Sequence, residues 1–298
     1  MLFEKILLAN WKLTKKMDDK RLSAQSMPKG IEVIKDIPYA DGGKANLLDV
    51  YYPQGTSKPL PVIIVVHGGG WMYGDKELNQ IYAMNLALRG FSIVNINYHL
   101  AQEKRFPQQI KDIYDVFNWI FANGKDYFLD IENVFITGDS AGAHLSAVSL
   151  ALLDNAELRK QLNVDTKLKI KAGGVICGAF ELDAFKGIKK LVAAWYGKVV
   201  LGQKVKKSEY AKTMSAIKSI NKKLPPLYLM TSSQDFLKDQ TLHFVEFLKA
   251  NNFEHKFRYW DEPKDKKLTH VFNVCYPLKK EAVVTNDEMC RFFMQYIT

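Results

Sequence analysis

Apolar and polar residues follow two repeating patterns along this chain. Continuous apolar runs, such as residues 61–66 (Pro-Val-Ile-Ile-Val-Val), are typical of strands buried on both faces of a sheet. Apolar residues spaced three and four apart, as in residues 110–121, predict amphipathic helices. From residue 61 onward the two patterns alternate. The chain is therefore predicted to form an α/β fold, with a mostly parallel central sheet, helices on both faces and antiparallel strands at its N-terminal edge.

Turn and stop signals delimit the individual elements. The predicted strands cover residues 31–39, 45–52, 61–66, 91–97, 134–137, 171–178, 224–231 and 254–260. The predicted helices cover residues 77–89, 110–121, 143–153 and 237–250, with helical patterns also within residues 1–30 and from Thr285 onward. An Asp41-Gly42 turn is expected to join the first two strands as a hairpin. Thr285-Asn-Asp-Glu288 has the capping-box pattern that starts a helix.

Length and composition fit one domain. With 298 residues and 47% apolar content, the chain can bury one sizeable core. We expect a single domain over residues 1–298, in which residues 178–222 exceed a normal crossover and form a small cap. One long crossover helix is the alternative for that segment. Residues 1–30 are expected to pack on the body as a helical segment that contributes to the cap; a signal peptide is the alternative there, although its apolar stretch is short.

Charge restricts the classes of partner. The net charge is +10, and the excess is nearly all lysine scattered through helices and loops. Because no arginine-rich stripe or nucleic-acid motif accompanies it, a solvated surface is the better explanation than a nucleic-acid partner. Attraction of anionic substrates stays open. No apolar run is long enough to span a membrane.

Cysteine content bears on compartment and metal sites. The three cysteines, Cys177, Cys275 and Cys290, are odd in number and widely spaced. This spacing favours neither a disulfide framework nor a zinc site and suits a reducing cytoplasm. We therefore expect a cytoplasmic protein with no metal and no cofactor. A homodimer is compatible with the sequence.

The first candidate for chemistry is Ser140. It lies in Gly138-Asp-Ser-Ala-Gly142, between a predicted buried strand and a predicted helix. A serine hydroxyl is a poor nucleophile, so it must be presented on a sharp turn where a base can take its proton. The glycines on either side leave room for that turn, and the helix points its N-terminal amides toward developing negative charge. A strand–helix turn that merely contains a serine is the alternative.

A glycine run lies upstream of this serine. His67-Gly-Gly-Gly-Trp71 directly follows the predicted strand over residues 61–66. Three glycines let the backbone approach a ligand and turn N–H groups into a cavity. An oxyanion hole needs such donors, together with the amide after the nucleophile, here Ala141. A flexible loop or a phosphate cradle is the alternative, but the spacing matches no phosphate-binding pattern. Both motifs follow strands, so they are expected at the same edge of the sheet.

Of the six histidines, His270 is the best placed to act as a base. It follows the last predicted strand and comes after Ser140 in the chain, in the order expected for such sites. His144 lies one turn into the helix behind Ser140, too close in sequence to reach its hydroxyl. The remaining histidines lie in the glycine run, just beyond a strand, within a helix and at the start of a strand: His67, His99, His243 and His255.

The acid that would orient this histidine is expected after the preceding strand. Asp235 lies four residues beyond Thr231, where that strand is predicted to end. Its carboxylate would hold the imidazole in the correct tautomer. Asp239 is the competing candidate, but it falls in the first turn of the next helix. An acidic side chain there stabilises the helix through the helix dipole, which explains Asp239 without a catalytic role.

These motifs together resemble the hormone-sensitive-lipase-like carboxylesterases of the α/β-hydrolase fold. The resemblance rests on four short stretches: His67-Gly-Gly-Gly70, Gly138-Asp-Ser-Ala-Gly142, Asp235-Phe-Leu237 and His270-Val-Phe272. Residues 97–103, Phe106-Pro107 and Asp112 are similar to a further family segment, with His99 and Gln102 in place of the usual arginine and proline. The longer pattern over residues 67–76 resembles the feruloyl- and acetyl-esterase-like branch, and also the arylformamidases.

The resemblance implies roles for individual residues. Ser140, His270 and Asp235 would form a triad, and Gly69, Gly70 and Ala141 would supply the oxyanion amides. Trp71, Tyr73 and Trp195 are expected to contact substrate, although core packing explains Trp71 and Tyr73 equally well.

The resemblance also implies a reaction. The expected activity is two-step hydrolysis of short to medium acyl esters, such as acetyl or feruloyl esters of plant polysaccharide fragments. An arylformamidase using the same residues is the alternative enzyme. A non-catalytic ligand-binding protein on the same fold would usually lack a triad member.

Overall fold

The computed structural model describes residues 2–182, 185 and 187–298, and for residues 2–10 and 187–189 it describes the backbone only. An eight-stranded sheet forms the centre of this part of the chain. Its strands in chain order are β1 (Ile31–Pro38), β2 (Leu47–Pro53), β3 (Leu60–Val66), β4 (Ser92–Ile96), β5 (Leu129–Asp139), β6 (Ile170–Ile176), β7 (Leu227–Ser232) and β8 (His255–Trp260). The order across the sheet is β1-β2-β4-β3-β5-β6-β7-β8.

Strand direction divides this sheet into two parts. β1 pairs antiparallel with β2, and β2 pairs antiparallel with β4. All remaining pairs, from β4 across to β8, are parallel. The predicted α/β fold, with a mostly parallel sheet and an antiparallel N-terminal edge, is therefore confirmed. In such a sheet the carboxyl ends of β3, β5, β6, β7 and β8 lie along one edge.

Helices connect the strands and cover both faces of the sheet. They are α1 (Leu2–Ser23), α2 (Gln80–Ala87), α3 (Gln108–Asn123), α4 (Ala141–Leu152), α5 (Ala156–Leu162), α6 (Gly187–Leu201), α7 (Ala216–Ser219), α8 (Lys238–Ala250), α9 (Phe272–Cys275) and α10 (Lys280–Met294). Short 3-10 turns cover Gly43–Asn46, Lys76–Asn79, Gly124–Tyr127, Val205–Lys207 and Lys264–Lys266. No helix among the described residues is long and apolar enough to cross a bilayer.

The central strands are apolar at successive positions because each face of the sheet meets its own core. In β3, Ile64 and Val66 pack in a core with Leu145 of α4. The intervening Ile63 and Val65 pack in a second core, which includes Phe293 of α10. Successive side chains of a strand point to opposite faces, so a strand covered on both sides needs apolar residues at every position.

The start of α10 differs from the capping-box prediction. The helix begins at Lys280, so Thr285 lies in its second turn rather than at its N-cap. The Thr285 hydroxyl donates to the carbonyl of Glu281 at 2.8 Å and accepts from Nε1 of Trp260 at 3.0 Å. A threonine can bond back to the carbonyl four residues earlier within a helix, and here it also anchors β8. The prediction that this helix starts near Thr285 is wrong.

The segment between β6 and β7 contains several elements in its described residues rather than one long helix. α6 is followed by the 3-10 turn Val205–Lys207 and by α7. The returning part attaches to the body through backbone bonds, since the amide of Ala216 donates to the carbonyl of Phe180 at 2.9 Å. This segment lies beside the carboxyl edge of the sheet.

Candidate active site

Ser140 occupies a strained turn between β5 and α4. Its backbone has φ 53° and ψ −114°, and α4 begins at the next residue. The Ser140 amide donates to the carbonyl of Ile176 on β6 at 2.9 Å, which fixes the turn against the sheet. Gly142 is required here because a Cβ at that position would lie 2.1 Å from the carbonyl oxygen of Val66. A positive φ at a non-glycine residue costs energy and is characteristic of functional turns.

Two loops at the same edge bring His270 and Asp235 together. Nδ1 of His270 lies 2.6 Å from Oδ1 of Asp235. The carboxylate is fixed further, because the Thr231 hydroxyl donates to its Oδ2 at 2.7 Å and the Leu237 amide donates to its Oδ1 at 2.9 Å. Burial opposes ionisation of Asp235, but the hydrogen bond and charge interaction with His270 prevail, so its pKa is lowered from the usual value. Asp235 is therefore an oriented carboxylate at neutral pH.

The competing acid lies elsewhere. Asp239 is in the first turn of α8, where an acidic side chain interacts favourably with the helix dipole. The structure thus pairs His270 with Asp235, as the sequence argument favoured. The exposed ring of Phe236 contacts His270 from the outside, with ring centroids 4.3 Å apart.

The glycine loop after β3 presents unpaired amides beside Ser140. Gly69 has φ 107° and Gly70 has φ 59°. A Cβ at Gly69 would lie 1.9 Å from the carbonyl oxygen of Tyr73, so only glycine fits there. Within the part of the chain that is described, the amides of Gly69, Gly70 and Ala141 have no hydrogen-bond acceptor. Such N–H groups are available to a negatively charged oxygen.

Asp139 connects the glycine loop to the serine turn. Its Oδ1 accepts from the Gly68 amide at 3.2 Å and from Nδ2 of Asn79 at 2.8 Å. Burial raises the pKa of Asp139, an effect that the Asn79 hydrogen bond partly offsets. The side chain just before Ser140 therefore fixes the distance between the two motifs.

An apolar cavity of about 220 Å³ opens above Ser140. Its described lining comprises Trp11, Gly70, Trp71, Ser140, Ala141, Ala179, Leu182, Phe185, Val192, Ala193, Tyr196, Phe236 and Leu237. α1 and α6 therefore both contribute to the wall.

Of the three residues expected to contact substrate, only one lines this cavity in the part of the chain that is described. Trp71 lines the cavity. Tyr73 and Trp195 are outside the described lining: Tyr73 stacks on Trp11 with ring centroids 5.0 Å apart and donates its hydroxyl to Asp18 at 3.0 Å. Tyr196, the next residue of α6, lines the cavity in place of Trp195.

The other histidines bond to partners outside the Asp235–His270 pair. His99 lies 3.0 Å from Asp112, and His243 lies 3.3 Å from Glu181. Nδ1 of His255 lies 2.8 Å from the carbonyl of Phe253. His67 stacks on Tyr98, and His144 lies 3.2 Å from Nε1 of Trp71.

Cys177 lies beside the Asp235–His270 pair. One ligand atom from each of these three residues falls within a 4.8 Å cluster, which is compatible with a metal ion by distance alone. Burial raises the pKa of the Cys177 thiol well above its usual range, and the nearby Asp235 raises it further. A protonated thiol is a poor metal ligand. The Cys177 thiol is therefore protonated beside the acid–histidine pair.

One family model covers the glycine loop, the serine turn and the acid. The BD-FAE family model matches residues 48–245, from β2 into α8. The chain belongs to the BD-FAE family. The match ends before His270, so the histidine is placed by the geometry given above.

This BD-FAE family member is similar to esterases of known structure. It superposes on a crystal structure of esterase B from Lactobacillus rhamnosis with a tributyrin phosphonate inhibitor, with a TM-score of 0.91 and 26% identity, covering 98% of this chain and 94% of that one. The predicted resemblance to carboxylesterases of the α/β-hydrolase fold is confirmed.

Curated relatives match over a smaller share of their length. Esterase LipQ of Mycobacterium tuberculosis is 27% identical over 205 residues, which are 67% of this chain and 48% of LipQ. The putative alpha/beta hydrolase R526 of Acanthamoeba polyphaga mimivirus is 27% identical over 198 residues, which are 63% of this chain and 55% of that protein. The chain thus spans about half the length of the curated relatives that it matches.

The BD-FAE site also uses residues that sequence reasoning missed. Asn79 donates a hydrogen bond to Asp139, and Thr231 donates one to Asp235. Trp11 lines the cavity. Asn79 and Asp139 are 60 residues apart, so no local pattern could pair them. Trp11 had one available signal, since it is the only tryptophan in an otherwise lysine-rich N-terminal helix.

Two buried histidines of this BD-FAE protein predict acid sensitivity. Burial lowers the pKa of both His67 and His144 to about 4. An unfolded chain protonates its histidines near pH 6.5, so it binds more protons than the folded chain between pH 6.5 and 4. The free energy of unfolding should therefore fall as the pH falls through that window, by up to about 1.4 kcal/mol per pH unit for each histidine.

Urea unfolding between pH 7.5 and 4.5 measures this effect. Ser149→Ala is the control, because it replaces a buried hydroxyl and no titratable group, so it should leave the pH slope unchanged. A free energy of unfolding that is constant from pH 6.5 to 5 would contradict the expectation.

Proposed function

We propose that this protein is a carboxylesterase that hydrolyses short-acyl esters through Ser140, His270 and Asp235. The observation that carries the proposal is the 2.6 Å contact between His270 and Asp235 at the sheet edge that also presents Ser140 to an apolar cavity. A buried carboxylate that fixes one imidazole nitrogen leaves the other to accept a serine proton. The family and the esterase relatives support the same reaction class.

In this proposal the reaction proceeds in two steps. Asp235 accepts from Nδ1–H of His270, so Nε2 carries a lone pair and takes the Ser140 proton as Oγ attacks the ester carbonyl. The tetrahedral oxyanion accepts hydrogen bonds from the amides of Gly69, Gly70 and Ala141. His270 then protonates the departing alcohol. In the second step His270 takes a proton from water as the water attacks the acyl-enzyme carbonyl. His270 then returns the proton to Oγ of Ser140 as the acid leaves.

Cavity size supports a short acyl group. Its volume of about 220 Å³ lies below the range of typical ligand pockets, roughly 300 to 1,000 Å³. The inhibitor named with esterase B is a tributyrin phosphonate, and tributyrin is an ester of four-carbon acyl groups. Acetyl esters of plant polysaccharide fragments fit such a volume. A feruloyl group is larger, so although the aromatic lining (Trp11, Trp71 and Tyr196) suits its ring, feruloyl esters are expected to be slower substrates.

We further propose that residues 178–222 and α1 together form a cap that sets this preference. Trp11 of α1 and three residues of α6, Val192, Ala193 and Tyr196, stand in the cavity wall. α1 is attached beside His270, because Nη1 of Arg21 donates to the carbonyl of Cys275 at 2.9 Å. Movement of either helix would change the volume above Ser140.

A substrate panel tests the proposed function. Initial rates on p-nitrophenyl esters from acetate to decanoate, with methyl ferulate and N-formylkynurenine alongside, are expected to be highest at acetate or butyrate. Preference for N-formylkynurenine would instead assign an arylformamidase. Folded protein with no turnover on any member would overturn the enzyme assignment in favour of a binding protein.

Truncating Trp11 should change the chain-length preference. Trp11→Ala removes an indole from the cavity wall, so we expect kcat/KM for octanoate to rise relative to butyrate by about tenfold, the effect of one or two accommodated methylenes. Leu13→Ala is the matched control, since Leu13 lies on the same helix and is 59% exposed. The ester ladder measures both variants; an unchanged ratio in Trp11→Ala would exclude α1 from the acyl site.

A further inference from the structure

His144 connects three elements behind the cavity. Its Nδ1 lies 3.2 Å from Nε1 of Trp71 in the glycine loop, and its Nε2 lies 3.1 Å from the carbonyl oxygen of Met214. His144 lies in the first turn of α4, where its backbone amide donates to the Ser140 carbonyl at 3.2 Å. It is fully buried and is not part of the cavity lining described above. Neither the acid–base mechanism nor the cavity explains this histidine.

We propose that His144 is a positioning residue that holds the oxyanion amides in place through Trp71. The inference rests on the proposed function, because it assigns His144 a task only if Gly69 and Gly70 bind an oxyanion. Both ring nitrogens of His144 bond to partners other than Ser140, so its contribution is made through the glycine loop.

The partners of His144 fix its protonation. An indole N–H is a donor only, so Nδ1 must accept; a backbone carbonyl is an acceptor only, so Nε2 must carry the proton. Both contacts are satisfied by one neutral tautomer and by no other state. A protonated imidazole would direct an N–H at the indole N–H. Because both partners require the same tautomer, the hydrogen bond runs from Nε1–H of Trp71 to Nδ1 of His144.

Trp71 needs such a contact because of its backbone. Gly69, Gly70 and Trp71 have successive positive φ values of 107°, 59° and 62°. Left-handed geometry is inexpensive for the glycines but costly for a tryptophan. The Trp71 carbonyl accepts from the Ala101 amide at 2.8 Å, and its indole donates to His144. Loss of the indole contact would let Trp71 relax and move the adjacent Gly70 amide.

Two conservative variants separate the two contacts of His144. The amide group of asparagine occupies the position of Nδ1, so His144→Asn keeps an acceptor for Trp71 and loses the bond to Met214. The amide group of glutamine occupies the position of Nε2, so His144→Gln keeps the Met214 bond and loses the acceptor for Trp71. These variants therefore differ in the one interaction that the proposal needs.

The expected result is a loss of kcat in one variant only. On p-nitrophenyl butyrate, His144→Gln should lose about tenfold in kcat, the equivalent of one buried hydrogen bond, with KM nearly unchanged. His144→Asn should retain most of kcat. In ¹⁵N spectra of the indole N–H groups, the resonance that Trp71→Phe deletes should shift in His144→Gln and stay near its wild-type position in His144→Asn.

A destabilised control excludes a purely structural effect. Leu150→Ala truncates a fully buried residue six positions further along the same helix, and should lower stability while leaving kcat per folded molecule unchanged. Equal kcat losses in both His144 variants, or wild-type kcat in both, would overturn the inference. Failure of the proposed function is distinguishable, because the wild-type protein would then be inactive on every ester before any His144 variant is compared.

Discussion

Ser140→Ala is expected to lower kcat on p-nitrophenyl butyrate by about a millionfold, the loss seen when the nucleophile of a comparable triad is removed. Without Oγ no acyl-enzyme forms. A water molecule in its place would be held neither at the attacking position of Oγ nor in line to give its proton to His270. The free energy of unfolding should change by less than about 0.5 kcal/mol, because alanine adopts the same φ of 53° as easily as serine does and no core contact is lost. Initial rates and urea unfolding measure the two quantities.

Ser149→Ala is the matched control for this variant. It makes the same substitution on α4, at a buried hydroxyl that has no hydrogen-bond partner among the described residues. It should keep wild-type turnover. If Ser140→Ala also kept wild-type turnover after purification to homogeneity, Ser140 would not be the nucleophile, and the esterase proposal would need another one.

Alternation of apolar runs was sufficient to predict the sheet. β3 is apolar at every position, and β5 is apolar over residues 134–136, because both faces of the sheet are covered there, and this property is local in the sequence. The same argument placed the glycine loop and Ser140 at one edge, since loops after parallel strands meet there. The order of strands and loops along the chain also predicts Asp235 and His270 at this edge.

The cavity wall could not be predicted in the same way. Around Trp195 the sequence of α6 is apolar on all sides (Leu-Val-Ala-Ala-Trp-Tyr), so periodicity does not reveal which face points inward. The structure turns Val192 and Tyr196, four residues apart, toward the cavity. Pairs such as Trp71 and His144, 73 residues apart, depend on how two loops pack and leave no local signal. The start of α10 was missed because a capping pattern also occurs inside helices.

Asp235→Ala is expected to lower kcat by about 10⁴-fold, the order found when the acid of such a triad is removed. The imidazole of His270 would lose its orientation and the charge that stabilises its protonated form. Asp239→Ala is the matched control, because Asp239 is four residues away in the first turn of α8. Wild-type kcat in Asp235→Ala together with a large loss in Asp239→Ala would reverse the assignment of the acid.

Asp235→Asn should be much less severe, at about 10- to 100-fold, and the reason lies in the contacts of the carboxylate. The Leu237 amide and Nδ1 of His270 both lie against Oδ1, so the asparagine oxygen is held on that side. The asparagine Nδ2 then meets the Thr231 hydroxyl, which can rotate to accept. His270 keeps its tautomer and loses only the charge. Kinetics of the asparagine and alanine variants on one ester therefore separate orientation from charge, and equal losses in the two would mean that charge alone accounts for the contribution of Asp235.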